Sequence, residues 1–371
     1  MALGSANVNN LNLGQGAVTE IERYFLFIGP ASKNVGKLLA LNTQSDLDTD
    51  LGIPASDLKT QVLAARQNGG EKWACMAAPI AVDGDWAAAV DKAQQDNVSV
   101  EAIVVTVPVV DKASFDAMNA KALEISAKYG RRVFIMAAIA GITVGQDWAA
   151  YLSEAKAKVA DVAAPRVLCV PQLHGNNLGV LAGRLARADV SIADSPMRVA
   201  TGALVGLGAV PVDKDSIPLP SAIVAELDKA RLSVPQTYPD YPGTFWGDGN
   251  MLDAPGSDYQ VVEYLRIADK AARRVRILLI QRIADRKLNS SATSMAQNKT
   301  ALMKPLRDMS RSVVFANVQF PGDIEPPSDD SITLVWTSKT SVEAYLKLRP
   351  YNCPKTLTAN IALDLSQDDQ E

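Results

Sequence analysis

The chain has 371 residues, of which 48% are hydrophobic, 21% charged and 6% aromatic, with one histidine and three cysteines. Such a length predicts two or three units and a core large enough to need no disulfide or metal. One histidine excludes multi-histidine metal sites, and no apolar run approaches the ~20 residues that cross a bilayer. Cys75, Cys169 and Cys353 form no close pair, and their apolar neighbours favour buried, reduced thiols. Without a signal-peptide pattern, we expect a soluble chain made in a reducing cytoplasm.

The net charge of −4 conceals an uneven distribution. Residues 263–311 contain twelve Lys/Arg and four acids, so this segment is +8 and the remainder is −12. Residues 321–330 and the last eight residues carry acids and no base. A basic block beside acidic surfaces is typical of nucleic-acid binding or of self-association.

The first 200 residues alternate short apolar runs with amphipathic segments. Residues 1–17 are rich in Asn and Gly, and such an end is ordered only if it docks onto something. The apolar runs predict strands over 23–29, 37–42, 73–80, 101–110, 132–139 and 166–170. Helices are predicted from the Ser56 N-cap to 68 and over 86–94, 112–129, 147–159 and 178–187. This alternation predicts an α/β fold whose largely parallel sheet is buried on both faces.

The pattern changes after about residue 200, where prolines indicate loops and short elements. A long basic helix is predicted over 257–289, with its apolar side formed by Val261, Leu265, Ala268, Ala272, Val275, Leu279 and Ile283. A second helix is predicted over 293–311, with Pro305 as a kink or break. Two β-like stretches follow at 332–336 and 342–348, and 356–365 alternates apolar and polar residues. The C-terminal part is therefore predicted to be α+β.

Three motifs resemble ligand sites without meeting their requirements. The turn from Gly29 to Lys37 has six residues between its glycines instead of the four of a phosphate loop, so a strand-ending turn is favoured. Asp46, Asp48 and Asp50 lack the Gly and Glu positions of a calcium loop, which favours a solvated turn. The glycines over 202–208 stand in the wrong order for a dinucleotide fingerprint and favour close backbone packing.

Two other features have both a functional and a structural interpretation. His174 follows a strand that ends at Pro171, which is where α/β proteins place ligands, but no nucleophile motif or paired acids accompany it. A loop histidine bonded to backbone is the structural alternative. The basic block over 263–311 fits a solvated face, a surface docking onto an acidic protein, or a nucleic-acid site, although it lacks a helix-turn-helix pattern and interleaved aromatics.

Several features together resemble the contractile tail sheath family of myovirus-type phages and R-type pyocins. The first is Phe25-Leu-Phe-Ile-Gly29-Pro-Ala followed by Leu41-Asn-Thr43 and the acidic stretch 48–52. The second is the glycine step Gln67-Asn-Gly69-Gly70-Glu-Lys-Trp73, and the third is Arg166-Val-Leu-Cys-Val-Pro171. The fourth is Thr244-Phe245-Trp246-Gly247-Asp248-Gly249, followed by a basic helix, a second helix and terminal β stretches.

The resemblance implies a virion structural subunit that polymerises as stacked hexameric rings around a tail tube. It implies a contraction from a metastable extended state that drives the tube through the host envelope, after assembly in the host cytoplasm. It implies an N-terminal arm over 1–20, an α/β core over 21–205, a C-terminal sheath domain over 206–350 and a C-terminal arm over 351–371. Partners would be further copies, the tail tube, the baseplate and the tail terminator, without nucleic acid, membrane insertion, cofactor, metal or enzymatic activity.

On this interpretation, the arms add strands to sheets of neighbouring subunits. The candidate arm residues are Val8, Leu11, Leu13, Leu357, Ala359, Ile361, Leu363 and Leu365. The candidate tube-facing bases are Lys299, Lys304, Arg307 and Arg311, with Arg273 and Arg274 as a second choice. The rival hypothesis is an α/β ligand-binding protein or enzyme that uses the loop around His174.

Overall fold

A computed structural model describes residues 21–315 and 317–363 of the chain. The strands are β1 Phe25–Pro30, β2 Leu39–Asn42, β3 Ala74–Ile80, β4 Ala102–Pro108, β5 Phe134–Ile139, β6 Ala164–Pro171, β7 Pro235–Tyr238, β8 Tyr241–Trp246, β9 Met251–Leu252, β10 Val313–Phe315, β11 Val318–Phe320, β12 Ile332–Ser338 and β13 Ser341–Leu346. The helices are α1 Leu47–Leu51, α2 Asp57–Asn68, α3 Trp86–Gln95, α4 Lys112–Tyr129, α5 Trp148–Val159, α6 Asn177–Leu185, α7 Ser221–Lys229, α8 Val262–Ile280 and α9 Ala292–Met309.

A seven-stranded sheet in the order β2-β3-β1-β4-β5-β6-β9 forms the centre of the molecule. Its five inner strands are parallel, and the short strands β2 and β9 close the two edges in antiparallel orientation. The inner strands are almost continuously apolar because both of their faces are covered. The predicted fold class, an α/β core with a largely parallel sheet, is confirmed.

Helices cover both faces of this sheet and create two hydrophobic layers. One layer contains α3, α4, α5 and α7, and the other contains α1, α2, α6 and the first turn of α8. The helix bounds follow from local capping: Asp111 accepts a hydrogen bond from the Ser114 amide, and Gly130 ends α4 in the left-handed conformation. Ser56 caps α2 as predicted.

The pair α2–α6 is packed unusually closely because of two glycines one turn apart. A Cβ added at Gly179 would lie 2.1 Å from the carbonyl oxygen of Gln61, and one at Gly183 would lie 2.3 Å from that of Ala65. Only glycine permits two helix backbones to approach this far. No local pattern in the sequence indicates this contact.

A third hydrophobic cluster joins the second half of α8 to α9 and to the hairpin β12–β13. Ile332 and Leu334 of β12 are buried in it, and Val342, Ala344 and Leu346 of β13 pack against it. Both strands were predicted. The hairpin β7–β8, helix α7 and strand β9 were not, because the prolines of this region obscure any periodicity.

The predicted helix over 257–289 is shorter at both ends. Asp253 accepts hydrogen bonds from Ser257 and from the amide of Tyr259, and this holds the preceding chain in a turn. Helix α9 extends from 292 to 309 and continues through the buried Pro305, so of the two predicted alternatives, a kink or a break, the break is wrong. The first six residues of the predicted apolar side are at least partly buried, but the seventh, Ile283, is exposed.

The buried set of α8 also differs from the predicted apolar side, because it includes Arg266 and Asp269. These two charged residues are buried because each has an opposite charge facing it on the sheet. Residues 227–265 contribute to both layers that cover the sheet. The proposed domain boundary at 205 and the two proposed arms stay predictions.

Among the cysteines, Cys75 and Cys169 are buried as predicted, and Cys353 is exposed. The prediction was wrong for Cys353 because residues 351–354 leave the cluster formed by α8, α9 and β12–β13. In the described part of the chain, no helix combines the length and hydropathy that a bilayer span requires.

Candidate assembly surfaces

The loop around His174 is held by structural contacts. Asn177 accepts a hydrogen bond from the His174 amide at 2.6 Å and donates one to its Nδ1 at 3.2 Å. Burial lowers the pKa of His174, although the bond from Asn177 opposes this shift. The lowered pKa favours a neutral imidazole, and its Nδ1 already accepts a hydrogen bond. His174 therefore has a structural role, although its ring binds the side-chain amide of Asn177 and not the backbone.

The glycine loop 202–208 packs directly against the loop that carries His174. Asn68 donates to the carbonyl of Val205 and accepts from its amide, at 2.8 and 3.0 Å. Asn176 donates to the carbonyl of Gly206 at 2.7 Å and accepts from the amide of Gly208 at 3.1 Å. A Cβ at Gly208 would lie 1.9 Å from the carbonyl oxygen of His174. The glycines serve close backbone packing.

The other two weak motifs also have structural roles. Asp46 caps α1 through the amides of Asp48 and Thr49. Asp48 forms an ion pair with Lys59 at 2.5 Å. The turn that begins at Gly29 borders a groove of about 260 Å³ lined largely by apolar side chains such as Leu38, Ile80 and Ala89. Lys37, Asp85 and Lys92 also border the groove, but its mostly apolar lining does not favour a phosphate site.

Part of the basic block is used inside the chain. Arg266 forms a bidentate ion pair with Glu101 at 2.7 and 2.9 Å, and Arg166 on β6 forms another with Asp269 at 2.8 and 2.9 Å. Lys270 binds Asp323 at 2.6 Å. The helix α8 is therefore joined by charges to the sheet and to the acidic segment 321–330.

The candidate tube-facing bases occupy different environments. Lys304 and Arg307 are exposed, lie one turn apart on α9, and have no ion pair with any residue that the structure describes. Arg311 lies just beyond the helix and pairs with Asp308 at 3.3 Å. Lys299 is half-buried and, five residues before Lys304, points to another side of α9.

The second-choice bases lie on α8. Arg273 donates to Glu22 at 2.7 Å and to the carbonyl of Arg132 at 3.3 Å, and its side chain is largely covered. Arg274 is half-buried and also has interactions. The structure thus groups Lys304 and Arg307 as one exposed basic surface, and it places Arg273 against the core. The tube-facing role of all six bases stays a prediction.

The C-terminal segment carries its apolar side chains into solvent. Leu357, Ile361 and Leu363 are 84%, 91% and 82% exposed, and Ala359 between them is exposed as well. Residues 356–363 join no sheet formed by the residues that the structure describes. Val8, Leu11, Leu13 and Leu365 lie outside the described residues.

The hairpin β12–β13 offers two edges near the same end of the chain. The two strands pair only with each other among the described residues, so each has one edge without a partner strand. The face that carries Ile332, Leu334, Val342, Ala344 and Leu346 is packed on the third cluster.

Comparison with solved structures identifies the class of fold. The fold matches the sheath complex of an extracellular contractile injection system in its contracted state, with a TM-score of 0.65, 13% identity, and 98% of each chain covered. It also matches the contracted helical sheath of the anti-feeding prophage (TM-score 0.61, 13% identity, 98% and 99% covered) and a sheath tail protein of Listeria innocua (0.56, 11%, 89% and 92%). The fold is that of contractile sheaths.

The family follows from sequence. The models of the DUF2586 N-terminal and C-terminal domains match residues 3–250 and 258–366. The chain is 47% identical over 369 residues to the "Putative tail sheath protein" of Haemophilus phage HP1 (strain HP1c1), with 97% of this chain and 98% of that protein covered. The chain therefore belongs to the DUF2586 family and, with this relative, to the contractile phage tail sheath proteins. The rival enzyme hypothesis is not favoured.

Sequence reasoning missed one charged group of this region. Lys355, at the start of the exposed segment, binds Asp248 and Glu263. Asp248 stands in the quoted stretch Thr244–Gly249, but the sequence offers no signal that links it to a lysine 107 residues away.

Proposed function

We propose that this chain is the subunit of a contractile tail sheath that stacks as hexameric rings around a tail tube. Contraction from a metastable extended lattice would drive the tube through the host envelope. The chain would assemble in the host cytoplasm with the tube, the baseplate and the tail terminator as partners. This role uses no catalytic residue, and we propose no enzymatic activity.

Two observations carry the proposal: the exposed alternating segment 356–363, and the free strand edges of the hairpin β12–β13 among the described residues. Isolated exposed leucines need no explanation, but Leu357, Ile361 and Leu363 are all exposed, and their odd-numbered positions would form one apolar strip if the segment is extended as a strand. Burying each of them contributes about 1.5–3 kcal/mol. The strip is therefore expected to be covered in the assembled protein.

A neighbouring hairpin can cover it by strand addition. A segment that pairs with a free edge of β12 or β13 gains a row of backbone hydrogen bonds and extends the apolar face of the hairpin. Ten extended residues span about 33 Å, which is enough to reach a second copy. Contacts in which one surface binds a different surface of the next copy build open helical assemblies.

Removal of the segment tests the proposal. A chain without residues 356–371, and one without residues 1–17, are expected to stay folded and to form no tubes in electron microscopy, because each lacks one arm. Normal tubes from either truncation would refute the arm hypothesis.

A substitution set tests the chemistry of the strip without shortening the chain. Leu357→Ser, Ile361→Ser and Leu363→Ser together remove the apolar side, whereas Thr358→Ala and Asn360→Ala change the opposite side. We expect the first set to abolish tubes and the second to preserve them, since side chains alternate across a strand. Equal effects of the two sets would contradict strand addition in this register.

A further inference from the structure

Lys355 joins the C-terminal segment to the core of the molecule. Its Nζ donates hydrogen bonds to Oδ1 and Oδ2 of Asp248 at 2.7 and 2.6 Å, and it lies 2.8 Å from Oε1 of Glu263. Asp248 belongs to the turn after β8, and Glu263 belongs to the first turn of α8. One ammonium group therefore bridges two elements that are themselves fixed to the central sheet.

Lys355 differs from the residues on both sides of it, which are exposed. The chain leaves the third cluster at Pro350, which forms an antiparallel bridge with Ile324. Residues 351–354 are exposed, and so are residues 356–363. Within 351–363, the hydrogen bonds and ion pairs found among the described residues are all made by Lys355. Among the described residues, the polar contacts of this segment are thus concentrated at Lys355.

Electrostatic attraction stabilises the contact between Lys355 and the two acids. Glu263 is 2% exposed, and Asp248 is 13% exposed at its side chain. Burial raises the pKa of Glu263, with Lys355 acting in the opposite direction and Asp248 adding to the rise. Burial alone would lower the pKa of Lys355, but the carboxylates of Glu263 and Asp248 raise it overall.

Withdrawal of the ammonium group would leave two carboxylates close together in a covered site. A buried carboxylate without a partner is strongly destabilising, and a second one nearby adds repulsion. Asp248 would keep hydrogen bonds from Ser195 and from the Gly249 amide, but neither supplies a charge. The segment therefore leaves the core only at a large energetic cost.

We propose that Lys355 is the anchor of the C-terminal arm, so that the arm pivots after residue 355 and transmits its load to the core through Asp248 and Glu263. This inference rests on the proposed arm function. It gives the arm a defined root, and it predicts that residues 351–355 keep their place on the core while the residues after 355 engage a neighbour.

Cys353 provides a native probe two residues from the anchor. It is the exposed thiol of the chain, whereas Cys75 and Cys169 are fully buried, so a spin label on the folded full-length protein reports on this position. In the wild type we expect a slow component in the spectrum. Lys355→Gln should lose that component, and Lys347→Gln, which removes an exposed lysine paired with Asp330, should retain it.

A neutral variant separates anchoring from folding. Lys355→Gln alone leaves the two acids without a counter-charge and is expected to lower the melting temperature. The triple variant Lys355→Gln, Asp248→Asn, Glu263→Gln removes the charge imbalance, so it should recover the melting temperature. A slow component in the triple variant equal to that of the wild type would show that charge does not hold the arm, and a mobile label already present in the wild type would overturn the anchor outright.

Electron microscopy of the chain without residues 356–371, combined with the spin-label result, distinguishes the proposed arm function from the proposed anchor. If truncation of 356–371 leaves tubes intact while the label result holds, the arm function fails and the anchor stands. If truncation abolishes tubes while the label is mobile in every variant, the arm function stands and the anchor fails.

Discussion

Arg266 of α8 and Glu101 at the start of β4 form a bidentate ion pair although they are 165 residues apart in sequence. Both side chains are 2% exposed. The guanidinium also donates to the carbonyl of Leu185, and Oε2 of Glu101 accepts a further hydrogen bond from the amide of Arg23. One buried pair therefore fixes the basic helix, the central sheet and the end of α6 to each other.

Breaking this pair is expected to destabilise the protein severely. Arg266→Met removes the bidentate ion-pair partner of the buried Glu101, which costs about 3–5 kcal/mol. Chemical unfolding measures the change. The double variant Arg266→Met, Glu101→Leu should recover a large part of it, because two apolar groups replace the two charges. Lys347→Met, at an exposed pair with Asp330, is the control and should leave the transition unchanged. Equal midpoints for Arg266→Met and the control would contradict this role.

The close contact between α2 and α6 predicts a steric cost. Gly179→Ala places a methyl group 2.1 Å from the Gln61 carbonyl, so the helices must separate. Overpacking of this kind typically costs about 1–3 kcal/mol. The melting temperature should fall, whereas Ser153→Ala at an exposed position of α5 should leave it nearly unchanged. An unaltered melting temperature for Gly179→Ala would mean that the two helices can move apart freely.

The ion pair between Glu22 and Arg273 predicts that the free energy of unfolding depends on pH. Burial alone would raise the pKa of Glu22, but Arg273 lowers it below its ordinary value of 4.5. The unfolded chain then binds a proton more readily than the folded chain, so stability is present above pH 4.5 and is lost as the pH falls through the folded pKa. Between pH 6 and 3, Glu22→Gln should make the fall of the unfolding free energy shallower. Parallel curves for wild type and variant would exclude a contribution from this pair.

The exposed bases of α9 predict a salt-sensitive contact with an acidic surface. Reversal of Lys304 and Arg307 to Glu should weaken co-sedimentation of the assembled sheath with tail tubes, most clearly at low salt, because contacts between exposed charges are screened. Lys33→Glu with Lys72→Glu makes the same change of charge at exposed positions of the N-terminal core. Equal tube binding by both double variants would remove the assignment of Lys304 and Arg307.

Most elements of the first 200 residues could be predicted because their signals are local. The predicted helix 112–129 has the bounds of α4, which Asp111 and Gly130 cap, and the continuous apolar runs follow from burial on both faces of a parallel sheet. The ion pairs could not be predicted. Arg266 and Asp269 lie in a segment whose charges suggest a solvated face, and their partners Glu101 and Arg166 are more than 100 residues away.

For the candidate assembly residues as well, local patterns could be predicted and contacts between distant residues could not. Alternation alone identified Leu357, Ile361 and Leu363, and the structure adds that they are exposed. Spacing on a helix could not separate Lys304 and Arg307 from Arg273, because that distinction depends on whether an acid from elsewhere, here Glu22, reaches the base.

The edge strands of the central sheet affect how specifically copies of the chain can pair. A protein present at very high local concentration risks pairing through any open strand edge. Here the seven-stranded sheet ends in a four-residue strand on one side and a two-residue strand on the other, both too short to template a long ladder. The hairpin β12–β13, with strands of seven and six residues, is a far better template. In the proposed assembly, strand addition at the hairpin would keep growth away from the folding core, so copies would join without recruiting one another's central sheets.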